Sequence, residues 1–330
     1  MQTTDVINKI SKENSEEETI IMENKQHALA RPLTVTLLAI LCNALWGSAI
    51  PFINLGYRLF EIPAGETATQ ILFAGCRFFI SGVLTIALTS LIGRRFVRPK
   101  RQNVHMVLTL ALMQTVIQYV LFYIGVARTT GVKGAIIQGL NAFVAILIAC
   151  YIFRTERMNR LKWIGGAAGV AGVVVMNLGG AMGGSMRLTG EGFLLLSMIV
   201  SACSAGTIKI FGQREDPVAL SGWQFMIGGA VMAAIGFALG GRLHVTGVPA
   251  LCVLLYLAGV SAVAYTLWSV LLKYNPVSRI APFMFLQPIF GVFLSLLFDP
   301  STQVAYLQCG AALALVCASI VIVGKGQQHG

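Results

Sequence analysis

YVLFYIGVARTTGVKGAIIQGLN, residues 119–141, lies over YTLWSVLLKYNPVSRIAPFMFLQ, residues 265–287, at a shift of 146 residues and without a gap. Tyr119 falls on Tyr265, Leu121 on Leu267, Lys133 on Arg279, Ala135 on Ala281 and Asn141 on Gln287. The register runs on to Leu161 over Leu307. Upstream the shift is 147, where Gly82 falls on Gly229, and then about 156, where Ser48-Ala49 falls on Ser204-Ala205. Extra residues in the loop EIPAGETATQ, residues 61–70, absorb that last step. Self-similarity at a fixed shift predicts two copies of one structural unit.

What the unit is follows from composition. The chain has 330 residues, 56% of them hydrophobic and only 11% charged, with a mean hydropathy of +0.77. That places it in the membrane class. A hydrocarbon core about 30 Å thick takes roughly 20 apolar residues per helix. Ten such segments are expected, at 33–54, 69–92, 104–126, 133–153, 161–178, 190–211, 219–240, 248–273, 279–298 and 303–324. The predicted fold is an all-α integral membrane protein with ten transmembrane helices in two five-helix repeats. Residues 1–32 form a polar tail, 33–179 the first repeat and 188–324 the second. Five is odd, so the second repeat enters the membrane in the opposite sense. Inverted repeats of this kind are characteristic of secondary transporters, with the site between the halves near the midplane.

The net charge of +11 raises the question of a nucleic-acid partner, and the placement of the basic residues answers it. Arg94, Arg95, Arg98, Lys100 and Arg101 follow the second segment, and Arg154, Arg157, Arg160 and Lys162 follow the fourth. Lys209 and Arg214 close the sixth, while Lys273 and Arg279 bracket the gap after the eighth. The positive-inside bias then makes these loops and both termini cytoplasmic. The basic excess is a topology signal and a lipid contact, so no nucleic-acid partner is expected. The seven cysteines lie in apolar segments without paired spacing and read as small core residues, not as disulfides or a metal site. The acidic stretch SKENSEEETIIMENK, residues 11–25, reads as a solvated tail.

NALWGSAIPFINLG from Asn43, CRFFISGVLTIAL from Cys76 and YIFRTERMNRLKWIGGAAGVAGVVVM from Tyr151 resemble the first half of an EamA-like protein of the drug/metabolite transporter superfamily. The resemblance runs from about residue 33 through nearly the whole chain. Its best-matched part joins the fourth and fifth segments, where Glu156, Leu161, Trp163, Gly165, Gly169 and Gly172 occupy the family's places. In the second half Phe298-Asp299-Pro300 stands where another acidic motif is expected. The resemblance implies ten helices, transport of small organic solutes such as amino acids, often outward, and a bacterial cytoplasmic (inner) membrane.

Candidate site residues are polar or aromatic groups inside apolar segments. Arg77 stands well inside the second segment, where a charge costs on the order of 2.5–3.5 kcal/mol. Its guanidinium is expected either to hold a substrate carboxylate or gating partner, or to snorkel outward. Gln114 and Gln118 are four apart, and Gln138 and Asn141, Asn43 and Trp46, and Tyr265 and Trp268 are three apart, so each pair is expected to share a helix face. Such faces should turn into the bundle. Tyr119 and Tyr265, equivalent by the repeat, are expected to face each other as an aromatic pair, and Gln287 is the counterpart of Asn141. Glu156 is a possible gate or a salt-bridged loop residue, and Lys209 is expected to snorkel. Gly165 and Gly169 have the spacing of close helix packing. Pro51, Pro282 and Pro288 are candidate helix breaks.

None of the thirteen acidic residues lies mid-segment, so no internal proton relay is expected, which favours facilitated export or exchange. There is no HExxH, GxSxG or Walker motif. The reading is therefore a transporter without cofactor or metal, acting on a small solute in a lipid bilayer, with one chain as the unit and a dimer allowed. An intramembrane enzyme on lipid-like substrates and a non-transporting scaffold or receptor are the alternatives. The first lacks catalytic groups in the sequence and the second a sizeable extramembrane domain.

Overall fold

The computed structural model describes residues 29–63, 65–129, 131–176, 178, 188–298 and 306–328. All elements in these residues are helical: α1 Pro32–Leu59, α2 Thr67–Ile92, α3 Arg101–Val126, α4 Gly131–Gly139, α5 Asn141–Tyr151, α6 Arg160–Met176, α7 Leu188–Phe211, α8 Pro217–Ala238, α9 Val248–Tyr274, α10 Val277–Ile280, α11 Leu286–Phe298 and α12 Tyr306–Gln328. Seven of these are long and apolar enough to cross a membrane: α1, α2, α3, α7, α8, α9 and, over Leu307–Gly326, α12. The acidic tail, residues 179–187 and Asp299-Pro300 lie outside the described residues.

Two expected segments are not single helices. The segment at 133–153 breaks at Leu140 into α4 and α5. Glycines at 131, 134 and 139 weaken the helix there. The segment at 279–298 begins as α10, tightens into a 3-10 turn over Ala281–Phe285 and only then becomes α11. Pro282 supplies no N–H, which a one-turn element tolerates and a long helix does not. These breaks fall at Leu140 and Leu286, which the 146-residue shift superposes. Pro51, by contrast, does not break α1, which runs through it to Leu59.

Packing is set by glycine. Along α2 and α8, Leu72 lies beside Gly236, Gly75 beside Ala233 and Gly229, and Gly82 beside Met226 and Gly222. One number rises as the other falls, so the helices are antiparallel. A Cβ on Gly75 would stand 2.3 Å from the Ala233 backbone nitrogen, and one on Gly82 would stand 2.3 Å from that of Met226. Gly75 meets Gly229 and Gly82 meets Gly222, pairs that exchange under the 147-residue shift. Phe78 and Phe225, related by the same shift, stack at the centre with centroids 5.2 Å apart and planes 8° apart. Reciprocal contact of this sort is what a two-fold relation between helices produces. The pair α6 and α12 is also antiparallel: Gly165 packs on Ser319 and Val323, and Gly172 on Ala312 and Val316.

At the end marked by the basic loops, the buried Glu215 ties α8 to the start of α3. Its carboxylate accepts from the Lys100 backbone N–H at 2.9 Å, from Asn103 Nδ2 at 3.0 Å and from the Asp216 backbone N–H at 3.0 Å. Burial pulls its pKa up, but these donors outweigh burial and hold it below the ordinary value of 4.5. A depressed carboxylate stabilises the fold fully above the unfolded pKa and loses that contribution as pH falls through the folded one. Glu215→Gln should therefore lower stability by about 2 kcal/mol near neutral pH. The gap from native protein should close on acidification below pH ~4.5, read as melting temperature against pH in detergent. A gap that does not narrow on acidification would show that the charge is not the source.

Candidate functional site

The aromatic side chains that converge between the two halves come from α1, α2, α3, α8 and α9. The hydroxyls of Tyr119 on α3 and Tyr265 on α9 hydrogen-bond to each other. Trp46 on α1 packs edge-on against Tyr265 at 5.0 Å and against Trp268 at 5.1 Å, so Tyr265 and Trp268 do share a face. Phe78 lies 4.5 Å from Tyr119, and Phe225 lies 4.9 Å from Tyr265. The sequence reading missed these two phenylalanines, although the 147-residue shift that pairs Gly82 with Gly229 pairs them too.

Arg77 belongs to this cluster. It is 4% exposed, so it does not snorkel into solvent, and its guanidinium carbon sits 4.4 Å from the Phe78 ring centroid. Its Nε has no hydrogen-bond partner among the described residues. The equivalent position on α8 holds Gln224, whose amide donates to Gln114 Oε1 at 2.6 Å. Arg77 and Gln224 thus occupy matching places with one charge between them.

The remaining candidates are placed as follows. Gln114 lies in a π-helical stretch, Ala111–Ile117, whose extra residue per turn alters the face relation that α-helical spacing predicts with Gln118. Gln118 keeps a buried Oε1 without a partner, while its backbone carbonyl accepts from Ser197 Oγ at 2.8 Å. Gln138 and Asn141 lie on either side of Leu140, which divides α4 from α5 but keeps helical dihedrals, its N–H donating to the Ile136 carbonyl and its own carbonyl accepting from Val144. Asn141 donates to Ser201 Oγ on α7 at 3.1 Å, and Gln138 Nε2 is buried without a partner. Asn43 is fully buried and turns back on its own helix, donating to the Ala39 carbonyl at 2.7 Å. Gln287 is half-buried, and its carbonyl abuts Gly47 beside Trp46.

Glu156 lies far from the aromatic cluster in sequence, and its side chain is 6% exposed. It pairs with Lys162 Nζ at 3.1 Å and accepts from the backbone N–H of Ser278 at 3.2 Å and from the Ser278 hydroxyl. It thereby joins the α5–α6 link to the start of α10. Lys209, half-buried in the last turn of α7, donates from Nζ to the carbonyl of Asn275, the residue that follows α9, at 2.8 Å. Among the described residues no group of three His, Cys, Asp or Glu side chains is placed to hold a metal ion. An apolar groove of about 260 Å³ between Val83, Ile86, Ala87, Phe96, Trp223 and Met226 contains none of the candidate residues.

Helical bundle, membrane-length helices and a polar, aromatic centre set the frame for comparison with known proteins. The model of the EamA-like transporter family matches residues 33–178 and again residues 188–324. The chain belongs to the EamA-like transporter family. It is a multi-pass membrane protein. Similar proteins include the transporter sll0355 of Synechocystis, 26% identical over 229 residues, which cover 62% of this chain and 66% of that protein. The chloroplastic WAT1-related protein At3g02690 of Arabidopsis thaliana is 24% identical over 61% of this chain and 51% of its own length. The inner membrane transporter YedA of Escherichia coli K12 is 26% identical over 59% of this chain and 57% of its own. The chain thus spans between half and two thirds of these relatives. A solved crystal structure shares the fold, with a TM-score of 0.70 at 16% identity over 88% of this chain and 98% of the other.

Proposed function

We propose that this EamA-like protein is a secondary transporter of small organic metabolites, amino acids among them, that works by alternating access between two inverted five-helix repeats. The observation that carries the reading is the bond between Tyr119 and Tyr265, residues 146 apart that the repeat superposes. A contact between equivalent residues lies on the two-fold axis, where an alternating site is expected. The antiparallel course of α2 and α8, the matched breaks at Leu140 and Leu286 and the double match to the family model support the same arrangement. Buried polar atoms without partners, on Trp46, Arg77, Gln118 and Gln138, are costly in a bilayer and suit a site that water or solute enters.

On this reading one chain is the working unit, in a bacterial inner membrane with both termini cytoplasmic, exporting or exchanging its solute. Purified protein in liposomes loaded with unlabelled amino acids should accumulate at least one labelled amino acid by counterflow. Tyr119→Ala should reduce that rate at least tenfold. Folded protein that moves no amino acid would remove that substrate class, and a product formed without flux would favour the enzyme alternative.

A further inference from the structure

We propose that the solute carries a carboxylate and that Arg77 holds it, a narrowing that rests on the transporter reading above. Arg77 is the eleventh residue of α2, about 15 Å along the helix at 1.5 Å per residue. At that depth an arginine is retained only with compensation. The protein supplies little: Phe78 offers a ring face, Nε has no partner, and among the described residues no carboxylate pairs with it. The buried carboxylates are engaged elsewhere, Glu156 by Lys162 and Ser278, Glu191 by Thr129, and Glu215 by Asn103 and Lys100. The missing counter-charge is therefore expected from outside.

The surroundings fit a carboxylate better than other ligands. A guanidinium presents a planar fork that matches two carboxylate oxygens. Two hydroxyls that bond to each other use one O–H hydrogen between them, so the Tyr119–Tyr265 pair retains a second hydrogen to donate. The rings of Trp46, Phe78, Phe225 and Tyr265 would receive an apolar body. Gln224, at the place matching Arg77, is neutral and bonded to Gln114, so the centre offers one charge for one anionic group.

The test uses three probes with one body: 3-phenylpropionate, 3-phenylpropanamide and 3-phenylpropan-1-amine. Binding to purified native protein is followed by tryptophan fluorescence and melting temperature at fixed ionic strength, and flux by counterflow of labelled 3-phenylpropionate. The acid should bind, the amide at least tenfold more weakly and the amine not measurably. Arg77→Gln should lose at least tenfold in affinity for the acid, and Arg77→Lys should retain part of it. Equal binding of acid and amide, unchanged binding in a folded Arg77→Gln protein, or binding of none of the probes would overturn the proposal. If Arg77→Gln does not fold, the acid-to-amide ratio on native protein decides. Acid binding without counterflow would retain the anion site and retract the transporter reading. Counterflow of an amino acid that 3-phenylpropionate does not inhibit would retain transport and overturn the role of Arg77.

Discussion

Gly229→Val is expected to prevent α2 and α8 from docking and to cost more than about 3 kcal/mol, at the upper end of overpacking effects. A Cβ at Gly229 would stand 2.2 Å from the Phe79 backbone nitrogen and 2.8 Å from the Phe78 carbonyl carbon. Both obstructions are main chain, so no rotamer change relieves them. The whole helix has to move, and with it the stacking of Phe78 on Phe225. Gly259→Val is the internal control, because nothing lies within 4 Å of a Cβ built there. Melting in detergent should show a collapse or loss of folded protein for the first variant and a shift of only a few degrees for the second. Equal melting of both would mean that the α2–α8 seam is looser than its geometry.

Glu156→Ala is the second large effect, expected at about 3–5 kcal/mol, because it removes one partner of a buried ion pair. Glu156 is 6% exposed and Lys162 5% at the side chain, so the ammonium left behind has little water to turn to. The Ser278 N–H and hydroxyl lose their acceptor in the same step. Adding Lys162→Met should recover part of the loss by removing the unpaired charge. Melting temperatures of the two single variants and the double variant close the cycle. Simple additivity would show that the two side chains act independently.

Much of this fold is legible in the sequence because a bilayer accepts so few solutions. Segment boundaries followed from apolar length, and most of the observed helices begin or end within a few residues of them. The meeting of Tyr119 with Tyr265 is legible from the repeat register, which superposes the two residues and led to their expected pairing. The break at Leu140 is not. Hydropathy counts apolar residues whether or not the backbone between them stays helical, and one glycine at 139 lowers the mean of a segment this apolar too little to mark a break. Asn43 is buried as its inward face required, but spacing cannot show its amide closing back on the carbonyl four residues earlier. The binding of Lys209 to the Asn275 carbonyl needed the third dimension, for the two are 66 residues apart.

The glycine seam also bears on motion. Where two backbones touch with almost no side chain between them, sliding by even one residue drives a Cβ into main chain, and tilting opens a void that nothing fills. The α2–α8 pair is thus a fulcrum: stiff, central and poorly suited to rearrange. On the proposed alternating-access reading, movement that exposes the aromatic centre first to one side and then to the other has to come from chain that is already interrupted, at Leu140 and at the 3-10 turn before Leu286. A locking crosslink across the seam should be tolerated during turnover, whereas one that bridges either interruption should arrest it.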